Sequence, residues 1–305
     1  MSTTTTSAAS GAPEAAQAPT VPQLPGGVRR NRRHARVVLW RYVGLVVVLV
    51  FLLGPLVVPL LGAFKGPDEA MFGPDASVLP HDPGFGAFRD LMKQTDVLRA
   101  FGNSLFVCTL IVASRLVLST MGGYMLSRRG WKGRGVITLV VLSALIFPFE
   151  AIMVSLFAQV RDLGYYNSLV GVWLPLMLEA FHILLMRAAF LAVPDDMENA
   201  ALLDGANEWQ RFWHIFLPQA RGALVIVGLT SFIFAWEDYL WPVVVLRDDS
   251  KFTLMLSITQ LQSAFGFDYR VVLAGAIVAF LPLLIVFFVA QKYFFRGIEE
   301  GGMKF

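Results

Sequence analysis

The sequence predicts an all-α polytopic membrane protein with six transmembrane helices, and three observations predict it. Hydrophobic residues make up 56% of the 305 residues and charged residues only 15%, a balance that no soluble domain of this length tolerates on its surface. The apolar residues fall in runs of about twenty, enough for a helix to cross roughly 30 Å of hydrocarbon. Basic residues cluster at the ends of those runs, so the small net charge of +3 speaks to membrane orientation and not to nucleic acid.

Taken in order, residues 1–38 read as a disordered basic cytoplasmic tail. The first 28 are mostly Thr, Ser, Ala, Pro and Gly, and Arg29, Arg30, Arg32, Arg33 and Arg36 follow, too little bulk to fold. Twin arginines before an apolar run also suit an export signal, but this run is too long and lacks a small-residue cleavage site. Residues 39–292 form the membrane domain. Its first span is expected at Tyr42–Phe64, kinked by Gly54-Pro55 and Pro59. Lys65–Arg99 reads as an external loop with one surface helix. The second span is Phe101–Leu126, and Arg128, Arg129, Lys132 and Arg134 directly after it place the next loop in the cytoplasm. The third span is Gly135–Val160, the fourth Leu169–Ala192, the fifth Gly222–Leu246 and the sixth Val271–Gln291. Residues 293–305 are a cytoplasmic tail, and both termini are cytoplasmic.

The chain carries no engine of its own. It has no phosphate-binding loop ending in Lys-Ser or Lys-Thr, no HExxH and no nucleophile elbow. His34, His81, His182 and His214 are scattered, and Cys108 is alone within an apolar run, where a small buried residue is the simplest reading. No catalytic residue, metal site or cofactor is expected. Uphill transport would need energy from a partner.

Charges inside the spans are the candidates for a solute path. Arg115, Glu150 and Glu179 each fall near mid-span, where a charge costs about 2.5–3.5 kcal/mol on insertion scales and therefore faces the bundle interior, a partner or water. Arg115 paired with Glu150 or with Glu179 offsets that cost. A polar lining and a structural ion pair both satisfy the pattern. His182 lies one turn from Glu179. In the run Trp236, Glu237, Asp238, Tyr239, Leu240, Trp241, Pro242, aromatic faces suit sugar rings and carboxylates suit their hydroxyls; an interfacial aromatic belt is the plainer alternative. Gly122, Gly123, Ala274, Gly275, Ala276 and Ala279 allow close helix contact.

The long polar passage from Pro194 to Pro218 organises the rest. Pro194 ends the preceding helix. Asp195 stands as an N-cap with Glu198 three residues on, at capping-box spacing. Met197, Ala200, Ala201 and Leu203 give a short helix an apolar face, and Gly205 after Asp204 suits a left-handed C-cap. A second helix sets Trp209, Phe212, Trp213 and Phe216 on one face, and Pro218 stops it. Helices this short are marginal alone in water, so the unit must dock.

At these residues the chain resembles the membrane subunits of ABC importers. Ala200, Ala201, Asp204, Gly205, Ala206, Leu217 and Pro218 match the family's EAA loop, with Asn199 where the leading Glu is usual and Glu198 one position earlier. The resemblance implies a type I (MetI-like) importer permease whose coupling loop, residues 193–221, seats in a cleft of a cytosolic ATPase. The run from Trp236 to Pro242 resembles a signature of carbohydrate-type importers, with Glu237 in place of Asn. The C-terminal Gly301, Gly302 and Lys304 resemble the ending of maltose-type subunits, which reaches into the ATPase dimer. The implied function is a permease for sugars, oligosaccharides or related polyols in a bacterial cytoplasmic membrane. The implied partners are a second related permease, two ATPases that bind and hydrolyse the ATP, and an extracytoplasmic solute-binding protein. A permease for an amino acid, peptide or phosphate ester, and an intramembrane enzyme using Glu150, Glu179 or His182, are the competing readings.

Overall fold

The computed structural model describes residues 32–128, 130–264 and 268–302; residues 1–31 of the tail expected over 1–38, and Lys304, lie outside them, while residues 32–38 are already helical. Among the described residues all regular structure is helical. The chain divides into two units between Gly54 and Pro55. The first holds the N-terminal part of helix α1 (Arg32–Gly62), which stays helical through Pro55 and Pro59.

In the second unit, α2 (Gly86–Gln94) is the expected surface helix, with Ala87 and Leu91 buried beneath it. The central element is α3 (Val97–Ser127), started by Asp96, whose side chain accepts the Arg99 backbone N–H. Beside it run α7 (Ala180–Leu191) and α11 (Arg221–Glu237). Ile183 packs beside Gly122, and Arg187 donates from Nε to the Leu126 carbonyl, so α3 and α7 run parallel. Gly123 makes that approach possible: a methyl there would stand 2.6 Å from the Met186 Cβ and 2.7 Å from the Arg187 backbone nitrogen. Along α11, Gly228 lies beside Leu116 while Trp236 joins the cluster that holds Ala100 and Cys108, an antiparallel match.

Several expected spans are broken. The third is two helices, α4 (Arg134–Ala144) and α5 (Phe149–Asp162), meeting at 102°. Pro148 takes the N-cap position of α5 and disfavours helix at Phe147; neither piece alone is long enough to cross. The fourth is α6 (Leu169–Trp173) with a 3₁₀ turn Leu174–Leu176, then α7 at 46°. The fifth ends at Glu237, short of the expected Leu246, and resumes as α12 (Leu240–Val245). The Pro242 ring conflicts with the carbonyl four residues back, on Asp238, and the chain leaves the helix there. After α13 (Leu254–Ala264), α14 (Tyr269–Gly302) runs past the expected end at Gln291, so Gly301 and Gly302 close a helix and do not lie in a separate tail. Among the described residues three helices are each long and apolar enough to cross a membrane, namely Val37–Gly62, Val97–Ser127 and Tyr269–Gln291; counting each bent pair as one span, the third pair being Glu208–Gln219 with Arg221–Glu237 at 74°, brings the number up to six.

Candidate coupling loop and polar cavity

Between α7 and α11 the chain forms α8 (Asp195–Leu203), α9 (Glu208–Arg211), a π-turn (Phe212–Phe216) and α10 (Leu217–Gln219). Pro194, and not Asp195, occupies the N-cap position of α8. Asp195 is the first helical residue, where an acid favours the helix dipole. The expected capping box through Glu198 does not form. A true capping box lies further on: Asn207 Oδ1 accepts the Gln210 N–H and Gln210 Oε1 accepts the Asn207 N–H, each at 2.9 Å. The signal was present as Asn-x-x-Gln.

The bend at Gly205 is as expected. Its φ is +78°, and the Ala206 N–H reaches the Ala201 carbonyl while the Gly205 N–H reaches that of Leu202, a Schellman end that favours glycine. Ala201, Asp204, Gly205 and Ala206 line a shallow hollow together with Gln210 and His214. The helix runs through Pro218 to Gln219, beyond its expected stop. Pro218 conflicts with the His214 carbonyl, and the turn widens so that the Leu217 N–H bonds to Phe212.

Phe212 and Phe216 anchor the loop. Both are buried against Phe190, Met186, Val193 and the ring of Tyr124, whose centroid lies 4.9 and 5.3 Å from theirs. Trp209 and Trp213, expected on the same face, are exposed, as are Met197 and Leu202; Leu203 is 89% exposed. Asn199 and Ala200 are exposed too. Polar bonds missed by sequence reasoning reinforce the anchor. Glu198 Oε1 lies 2.8 Å from Arg128 Nη1 and 2.6 Å from Arg211 Nη1, and the Tyr124 hydroxyl donates to Glu208 at 2.6 Å. Arg128 is 70 residues from Glu198, so no local pattern announced the pair.

A second site opens beside the upper half of α3. A cavity of about 550 Å³ is lined by Arg115, Glu150, Glu179, Glu237 and Asp238, with apolar walls from Ile111, Phe149, Leu176 and Phe234. Arg115 is 7% exposed. Its Nη1 lies 2.6 Å from Glu179 Oε2 and its Nε donates to the Leu176 carbonyl at 2.8 Å, so of the two acids Glu179 is the partner. Glu179 sits at the gap before α7, with His182 Nδ1 at 3.3 Å; His182 Nε2 is 2.9 Å from Thr230 Oγ1. Glu150 is exposed in the first turn of α5 and not mid-helix. Glu237 ends α11, and Asp238 accepts the Trp241 N–H at 3.3 Å.

The tryptophans do not face this cavity. Trp236 and Trp241 are buried, and their indole N–H groups donate to the carbonyls of Ala279 and Gly171. They are core residues: Trp236 packs from α11 among Ala100, Cys108 and Ala279, and Trp241 is carried by the break at Asp238, which turns α12 onto α6. Tyr239 is half exposed and outside the cavity lining. The carboxylates, rather than the rings, meet the space.

Residues 119–300 match the family model described as binding-protein-dependent transport system inner membrane component. The lactose transport system permease protein LacG of Rhizobium radiobacter is 34% identical over 70% of this chain and 78% of its own. The arabinooligosaccharides transport system permease protein AraQ of Bacillus subtilis is 31% identical over 82% and 90%. Among solved structures, a chain of a bacterial ABC transporter involved in the import of the acidic polysaccharide alginate is similar with a TM-score of 0.75 and 26% identity, covering 89% of this chain and all of that one. An alginate ABC transporter in complex with an alginate pentasaccharide-bound periplasmic protein gives a TM-score of 0.63 at 17% identity, over 86% and 94%.

Proposed function

We propose, on the premise that this chain belongs to the family of binding-protein-dependent transport system inner membrane components and is a permease subunit of an ABC importer, that its solute is a sugar, an oligosaccharide or a related polyol. It is a transport protein and not an enzyme, so the intramembrane-enzyme reading falls away. The sugar assignment draws on the relatives, which carry lactose and arabinooligosaccharides by name, and on a cavity whose carboxylates suit hydroxyl donors.

The proposed assembly has a second related permease, two cytosolic ATPases and an extracytoplasmic solute-binding protein. In it the chain crosses six times with both termini in the cytoplasm. The observation that carries the mechanism is the division of the loop into a buried and a bare side. Phe212 and Phe216 are packed into the helices, while Met197, Leu202, Leu203, Trp209 and Trp213 are exposed. A run of large apolar side chains in water at a domain's edge marks a docking face. The ATPase seats on it, and closure of the ATPase dimer moves Asp195–Ala206. The stiff helices pivot, and the Arg115–Glu179 cavity is exposed alternately to the two sides.

Replacing Leu203 and Trp209 with Asp is expected to release the ATPase in co-purification while the permease still inserts. Retention of the ATPase by that variant, together with unchanged uptake, would overturn the docking face. Sugar-stimulated ATP hydrolysis by the reconstituted complex tests the solute class, and stimulation by amino acids or peptides alone would reject it.

A further inference from the structure

We infer that Glu198 is a positioning residue that ties the coupling loop to the end of α3, so that motion received by α8 passes to α3 as well as to α7 and α11. The inference rests on the proposed seating of an ATPase on the loop. It differs in what Glu198 does: the carboxylate turns inward to this chain's own arginines and is not a contact for the partner.

The geometry is a closed circuit. Glu198 Oε1 binds Arg128 at 2.8 Å and Arg211 at 2.6 Å, with the two guanidinium side chains 19% and 13% exposed. Arg211 in turn pairs with Glu208, and Glu208 accepts the Tyr124 hydroxyl at 2.6 Å. Tyr124 and Arg128 both belong to the end of α3, four residues apart. The Arg128 guanidinium lies 3.9 Å from the Phe216 ring centroid and 4.8 Å from that of Tyr124, and its Nε donates to Ser127 at 3.2 Å.

Each part constrains the next. Apolar contacts through Phe212 and Phe216 hold the loop near α3 but are non-directional, so a helix can slide or roll on them. Charge-assisted hydrogen bonds fix direction as well as distance. A lone exposed ion pair contributes little, but here one carboxylate is shared by two mostly buried cations, one of them also held on an aromatic face. Glu198 is the only described member of the circuit on α8. Without it, α8 keeps the covalent link to α7 and the Gly205 bend, and loses its charge-assisted bond to Arg128 at the end of α3. The consequence reaches the cavity, because Arg115 lies on α3, 13 residues before the C-cap residue Arg128, roughly 20 Å along a rigid rod.

The test uses the complete complex in proteoliposomes with its solute-binding protein. Uptake per ATP hydrolysed is measured for wild type, Glu198→Gln, Arg128→Gln and the double variant, with co-purified ATPase quantified in each. The expected result is an unchanged amount of ATPase and a ratio lowered in each single variant by about five- to ten-fold, the low end of the usual coupling between two sites. The double variant should be no worse than the poorer single one, because both remove the same link. An unchanged ratio, losses that multiply, or loss of bound ATPase from Glu198→Gln alone would overturn the inference. If Glu198→Gln does not insert, Glu198→Asp, one methylene shorter with its charge kept, is read the same way. A wild-type complex holding no ATPase would instead overturn the importer assembly beneath the inference.

Discussion

Arg115 on α3 and Glu179 at the start of α7 form an ion pair of 2.6 Å at the wall of the polar cavity, with the arginine almost fully buried and the glutamate one-third exposed. The pair crosses the parallel α3–α7 contact that Gly123 brings close, some two turns further along. It joins two helices and borders the cavity with one set of atoms.

Removing one partner of such a pair leaves the other charge partly stranded. Full burial would make that cost about 3–5 kcal/mol, and the exposure of Glu179 lowers it. Arg115→Met is therefore expected to destabilise the permease by about 1–3 kcal/mol. Arg115→Met combined with Glu179→Leu should recover more than half of the loss. Thermal unfolding of the complex in detergent reads both. A double variant as unstable as the single one would show that the pair is not the source of the cost.

Gly205 sits at φ +78° with open space around the position of a Cβ. Only backbone strain then separates glycine from alanine, about 1–2 kcal/mol. Gly205→Ala should weaken but retain ATP-coupled uptake. Gly205→Pro forces φ to about −65° and removes the N–H that bonds to Leu202, and is expected to abolish coupled uptake in a protein that still inserts. Normal uptake by the proline variant would count against a fixed bend.

The capping box at Asn207 predicts a local effect. Asn207→Ala leaves the Gln210 N–H of α9 without its side-chain partner, a loss of about 1 kcal/mol. Faster hydrogen exchange confined to residues 207–211 is the expected signature, since Phe212 and Phe216 still hold the π-turn. Unchanged exchange there would mean that packing alone sets the helix start.

Glu69, in the segment between α1 and α2, accepts backbone N–H groups from Asp82 at 3.0 Å, Gly66 at 2.9 Å and His81 at 2.9 Å. Those three donors hold its carboxyl at about 2, below its ordinary 4.5. A carboxylate depressed in the folded state stabilises the loop above its unfolded value, and that contribution is lost as the proton is bound. Loop order over residues 66–84 should hold from neutral pH down to about 5 and fall between pH 4.5 and 2, and Glu69→Gln should remove this step. Limited proteolysis across the pH range measures it; an identical acid profile for the variant would place the transition elsewhere.

The local features were legible because they are written in consecutive residues. Proline and glycine state their backbone limits on the spot, so the end of α7 at Pro194 and the bend at Gly205 could be read directly, as could the apolar runs. Other prolines were visible but misjudged. Pro148 and Pro242 break spans that hydropathy alone joins, because a window over apolar residues is blind to a missing N–H. The Trp236–Pro242 run misled for a related reason: its composition suits a sugar platform, yet the direction of each ring depends on a helix break and on the neighbours that fill it.

What the sequence by itself determined was the class of molecule, the place of the bent loop and the stock of charges that border the cavity. The tertiary structure alone decided which of two glutamates meets Arg115, which aromatic rings vanish into the core, and that Glu198 serves Arg128 across 70 residues of chain. Helix rotation and crossing select those partners. They emerge from packing many side chains at once, so no short stretch of sequence contains them.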